Sequence, residues 1–137
     1  MIKMGRKKSP LTIQTELYEK YKNEIEFRFT SGEVPYSHVP EKIIYLKLKA
    51  FFEPTISSVF DMMHEIGHIK TNVSGMKRCE EEFYATVWAI NESKKYKLNL
   101  SQKRKDEYQN YIWYWRDRGI KARAKIIPTK EELTLKW

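Results

Sequence analysis

Hydrophobic positions change their period along the chain, and each change marks an element. In SPLTIQTELYEKY, residues 9–21, Ile13, Leu17 and Tyr21 recur every four residues behind Ser9 and Pro10. That spacing predicts a helix capped by Ser9, with Pro10 in its first turn. Ile25, Phe27 and Phe29 then alternate with polar residues up to a Ser31-Gly32 turn, which is the period of a strand. A second strand is predicted in KIIYLKLKAFF, residues 42–52. There Ile44, Leu46, Leu48 and Ala50 fall on one face and Tyr45, Lys47 and Lys49 on the other. Helical periodicity takes over in residues 55–70, 78–96 and 101–118, with Gly75 and Gly119 as breakers. Residues 120–127 are compatible with a further strand, and Thr129 and Glu132 have the spacing of a capping box.

Length and composition narrow the picture to one unit. With 137 residues, 41% of them apolar, and no repeat or low-complexity linker, the chain is expected to form a single domain over residues 1–137. No apolar run reaches the eighteen residues that span a bilayer, and no hydrophobic segment follows the basic start MIKMGRKKSP, so a cytoplasmic protein off the membrane is expected. The single cysteine, Cys79, allows no internal disulfide, which fits a reducing compartment.

The net charge of +8 is unevenly spread. Residues 94–125 carry eleven Lys and Arg against three acids, whereas residues 11–93 carry nine basic and thirteen acidic side chains. The basic ends can solvate a helix face, or meet an acidic partner or nucleic acid. The acidic middle would not repel a metal cation.

That middle contains HEIGH, residues 64–68. On a helix, residues i and i+4 share a face, so the imidazoles of His64 and His68 can converge on one zinc ion. Glu65 stands beside them, where its carboxylate can take a proton from a water that zinc has acidified. Val59, Met62, Ile66 and Ile69 form an apolar stripe that would seat this helix in the core, leaving His64, His68 and Asp61 toward a cleft. The alternative for two such histidines is ordinary hydrogen bonding on a helix.

A catalytic zinc needs a third protein ligand. The position six residues after His68 is Ser74, not histidine, and His38 lies on the Pro-flanked loop VPYSHVP. The run RCEEEFYATVWAI, beyond the Gly75 turn, is better placed to send a carboxylate back past the first helix. Glu82 shares its face with the small residues Ala85, Thr86 and Ala89, while Phe83, Val87 and Ile90 form a separate apolar stripe. Gly67 offers a matching gap on the first helix. Glu82 is therefore the expected ligand, with Glu80 and then Cys79 as alternatives.

HEIGH followed by EFYATVWA resembles the ImmA/IrrE-type zinc metallopeptidases of phages and mobile elements, over roughly residues 42–92. Their hallmark is HExxH and then a glutamate three residues before an alanine, with an aromatic before a second alanine; here these are Glu82, Ala85, Trp88 and Ala89. The resemblance implies a minimal α+β zincin-like domain, a small sheet packed against the HExxH helix. It implies Zn2+ held by His64, His68 and Glu82, with Glu65 as general base. It also implies a protein substrate such as a transcriptional repressor, which must be a separate chain because no helix-turn-helix module is recognisable here. Tyr36 and His38 are candidate donors to the oxyanion. The competing reading is a basic regulatory module that binds nucleic acid or protein, with a structural or non-catalytic zinc. Its surface would be YQNYIWYWRDRGIKARAK, although Tyr108, Tyr111, Ile112 and Trp115 recur at helical spacing and are more simply core.

Overall fold

Ser9 opens the first helix as its spacing predicts: its hydroxyl accepts from the Thr12 N–H at 3.2 Å, and α1 (Pro10–Tyr21) buries Ile13, Leu17 and Tyr21. In the computed structural model, which describes residues 7–32, 34–73, 75–121 and 126–137, the chain continues through β1 (Glu26–Thr30), β2 (Tyr36–His38), β3 (Ile43–Lys47), α2 (Leu48–Phe52), α3 (Ile56–Thr71), α4 (Arg78–Lys95) and α5 (Gln102–Lys121). The class is α+β, with five helices and a three-stranded mixed sheet among the described residues.

The sheet order is β1-β3-β2. β3 lies in the middle, parallel to β1 from Glu26↔Ile43 to Thr30↔Lys47 and antiparallel to β2 with Ser37 opposite Ile44. Ile44 and Leu46 turn inward and are buried. Two expectations fail here. VPYSHVP is not a loop throughout: Tyr36–His38 forms the short edge strand β2, where flanking prolines are tolerated because an edge needs no second partner. The second strand does not run to residue 52. Pairing ends at Tyr45 on the β2 side and at Lys47 on the β1 side, where the chain winds into α2, and Phe51 packs against Phe29 with ring centroids 4.7 Å apart.

α3 runs through the centre. Thr55 caps it by a reciprocal pair of bonds with Ser58, and Val59, Phe60, Met62, Met63 and Ile66 are all at most 1% exposed. A helix apolar on nearly every side has to be surrounded, and α1, the sheet and α4 pack around it. Ile69, at its far end, is only half-buried. Gly75 makes the turn into α4 with φ +86, a conformation that favours glycine.

α5 does not stop at Gly119 but continues to Lys121. A Cβ at Gly119 would lie 2.4 Å from Cδ1 of Ile127, so this glycine admits a neighbouring chain rather than ending the helix. Ile120 and Lys121 therefore belong to α5 and not to a strand; residues 122–125 lie outside the described residues, and Ile126 and Ile127 are not in a strand. Thr129 and Glu132 do exchange capping bonds, at 3.1 and 3.4 Å, but around a single turn.

Candidate metal centre

α3 and α4 are antiparallel neighbours, with His64 opposite Thr86 and His68 opposite Glu82. They can approach closely because Gly67 has no side chain: a Cβ there would meet the carbonyl oxygen of Ala85 at 2.4 Å. On α4 the small-residue face of Ala85, Thr86 and Ala89 is completely buried, deeper than Phe83 and Val87 on the other stripe. The expectation that Gly67 leaves a gap for this face is met.

The close approach brings three side-chain atoms together. Nε2 of His64 is 2.9 Å from Oε2 of Glu82, Nε2 of His68 is 3.1 Å from the same oxygen, and the two nitrogens are 3.1 Å apart. Tetrahedral bonds of about 2.0–2.1 Å put ligand atoms roughly 3.3 Å from one another. The triangle is close to that size, and its donors, two imidazoles and a carboxylate, suit a divalent cation. Burial works to raise the Glu82 carboxyl, but its close contacts with the His64 and His68 rings outweigh it and hold the group well below the usual carboxylate range. His68 shifts the other way: burial opposes its charge, yet the Glu82 partner raises it above its ordinary value.

Glu65 belongs to the same group, its carboxylate within 4.8 Å of the ring nitrogens of His64 and His68. Two carboxylates thus face one pair of rings. The hydrogen-bond contacts of the two rings go to Glu82, while Glu65 stands within 4.8 Å of them. Glu65 is buried, which raises its carboxyl, while the nearby histidines and the Ser37 hydroxyl on β2 pull it back.

Around these residues lies a cleft of about 620 Å³. Pro35, Tyr36 and Ser37 line one side and Tyr108 and Tyr111 of α5 the other. Asp61 faces it as expected, and its Oδ1 accepts from Arg104 Nη2 at 2.7 Å and from the Tyr108 hydroxyl. Burial, with the Asp61 carboxylate adding, pushes the Tyr108 phenol well above its ordinary value. Tyr108 is thus more than core packing: its ring centroid lies 5.1 Å from that of His64.

The remaining candidates separate cleanly. Tyr36 lines the cleft but stacks on Tyr45 at 4.5 Å. His38 is turned to Glu41 and is not brought to the site. Glu80 accepts the Lys77 N–H at 3.2 Å and serves the start of α4, and Cys79 is buried in the core. Arg78, which sequence reasoning passed over, forms an ion pair with Oε1 of Glu82 at 3.0 Å, so one oxygen of that carboxylate faces the guanidinium and the other the histidines. Arg78 and Thr86 lie four residues either side of Glu82, and that spacing was the available signal.

Comparison with protein-family models, curated proteins and solved structures gives no match. The chemistry of the site rests on its geometry. No helix among the described residues is long and apolar enough to cross a membrane.

Proposed function

We propose that the chain is a zinc-dependent metallopeptidase of minimal zincin-like architecture, in which His64, His68 and Glu82 hold the metal and Glu65 is the general base. The observation that carries this reading is the triangle of Nε2, Nε2 and Oε2 atoms at 2.9–3.1 Å with a second carboxylate, that of Glu65, beside it. Three protein ligands in an open cleft match a catalytic zinc, whereas a structural one takes four. The likeness of HEIGH and EFYATVWA to the ImmA/IrrE-type enzymes supports the same assignment, and points to a separate regulatory protein such as a repressor as substrate.

Zinc, when bound, acidifies a coordinated water and polarises a carbonyl. The residues supply the rest. Glu65, raised by its burial, accepts the attacking water's proton and passes it to the leaving amine. β2 has no second strand partner among the described residues, and the backbone groups of this edge beside the cleft can align an extended polypeptide. Tyr36 on that strand is the nearer of the two oxyanion candidates.

A second reading, a basic binding module with a non-catalytic metal, draws on α5. There the Arg118 guanidinium lies 5.6 Å from the Tyr114 ring and 5.7 Å from the Trp115 ring, a surface able to contact phosphates and bases.

Glu65→Gln decides between them. It keeps the side-chain volume and all three ligands, so about one zinc per chain should remain. Cleavage of candidate repressor proteins should fall 10²- to 10⁴-fold. A variant with full biological activity and full zinc would show that the protein works by binding.

A further inference from the structure

Thr86 is fully buried on α4, one turn beyond Glu82. Its hydroxyl has two neighbours, the backbone carbonyl of Glu82 at 2.7 Å and Nδ1 of His64 at 3.1 Å. The first contact alone would mean little, because a helical threonine commonly bonds the carbonyl four residues back. The second is informative once protons are counted. A hydroxyl has one hydrogen to give, a carbonyl can only accept, and the carbonyl is the nearer neighbour. The Thr86 hydrogen therefore goes to Glu82. What faces His64 is a lone pair, so Nδ1 must carry the hydrogen shared between them.

We infer that Thr86 is a positioning residue for His64: by accepting from Nδ1–H it fixes the ring's rotation and tautomer, and so aims the Nε2 lone pair at the point shared with His68 and Glu82. The inference rests on the metal-binding reading above and deepens it. Threonine does this from the helix that also carries the third ligand, so one hydroxyl ties the backbone of Glu82 to the ring of His64 across the α3–α4 contact. His68 is more exposed than His64, and among the described residues its Nδ1 has no such partner. The two histidines are thus unequal, one held from behind and one steadied at its Nε2 side alone.

The test compares Thr86→Val and Thr86→Ser by chelator-competition titration of zinc, with the melting temperature of the metal-free proteins alongside. Valine keeps the volume and removes the acceptor; serine keeps the acceptor and leaves a methyl-sized void. If Thr86 aims the ring, Thr86→Val should bind zinc 10- to 100-fold more weakly, the range for losing an outer partner of a ligand, and Thr86→Ser should stay within about threefold of wild type. A residue that only fills space predicts the reverse order, with serine the damaging change. Should the valine protein not fold, Thr86→Ala also lacks the acceptor and must bind zinc at least 10-fold more weakly than Thr86→Ser. Equal affinity of Thr86→Val and wild type, or of Thr86→Ala and Thr86→Ser, overturns the inference and leaves the metal site standing. Wild-type protein that takes up no zinc overturns both.

Discussion

Oε2 of Glu82 lies 2.9 Å from Nε2 of His64, although 18 residues of chain separate them. Neither residue reaches the other through its own helix. The contact exists because the Gly75 turn sends α4 back along α3 and because Gly67 lets the two backbones close on one another.

Glu82→Gln should weaken zinc binding 10-fold or more, since it removes the only charged ligand. Glu80→Gln, two residues away, should leave zinc affinity unchanged and the start of α4 nearly so, because the glutamine oxygen still accepts the Lys77 N–H. Parallel metal titrations and denaturant melts check both. Loss of zinc in Glu80→Gln would mean that α4 presents a different face to the rings.

What could be read in advance followed the length of the periodic signal. α1, α3 and α4 carry caps and apolar stripes over three turns or more, and their bounds fall within a residue or so of those predicted. β2 has three residues, too few for alternation to show against two flanking prolines. The end of β3 was illegible for another reason: Leu48 and Ala50 keep the strand period, while the pairing that defines the strand stops at Lys47. At the site, the face shared by Glu82 and the small residues was visible from helical spacing. Ser37, Arg104 and Tyr108 come to the cleft from β2 and α5, and no local pattern records which distant elements will meet.

Gly67→Ala separates two opposing effects. Helix propensity alone favours alanine by about 1 kcal/mol. The new methyl, however, would lie 2.4 Å from the Ala85 carbonyl oxygen, and backbone on both sides cannot yield without the helices parting. Net destabilisation of about 1–3 kcal/mol is expected, together with weaker zinc binding, by denaturant unfolding of the metal-free protein and by metal titration. A more stable variant would refute the close contact.

Removing the metal should loosen the pair of helices that supply its ligands. At free zinc about 100-fold above the dissociation constant, binding adds roughly 2.7 kcal/mol, so a chelator should lower the melting temperature by about 10 °C. His68→Ala should melt at the same temperature with and without chelator. Differential scanning calorimetry reads both.

Alkaline stability should expose Tyr108. Its phenol is raised well above 10.0 in the folded protein, first by burial and then by Asp61, whereas the unfolded chain releases that proton near 10. Above about pH 10 the unfolded state therefore binds fewer protons, and stability that is whole below this pH is lost as pH rises, by up to roughly 1.4 kcal/mol per unit. Tyr108→Phe should show a shallower decline between about pH 9 and 11. Tyr21 and Tyr96, also raised by burial, remain in both proteins and cancel from the difference.

The five letters of HEIGH leave no position idle. His64 and His68 face Glu82, Glu65 the cleft, Ile66 is wholly buried, and Gly67 packs against the backbone of α4. In a saturation library these five consecutive columns should all be intolerant, but for two unrelated reasons. Scored by the amount of folded protein, substitutions at 66 and 67 should vanish while many at 64, 65 and 68 survive; scored by cleavage, all five should vanish together. A conserved run in a relative of this chain would therefore overstate the chemistry, because two of its five letters are kept by packing.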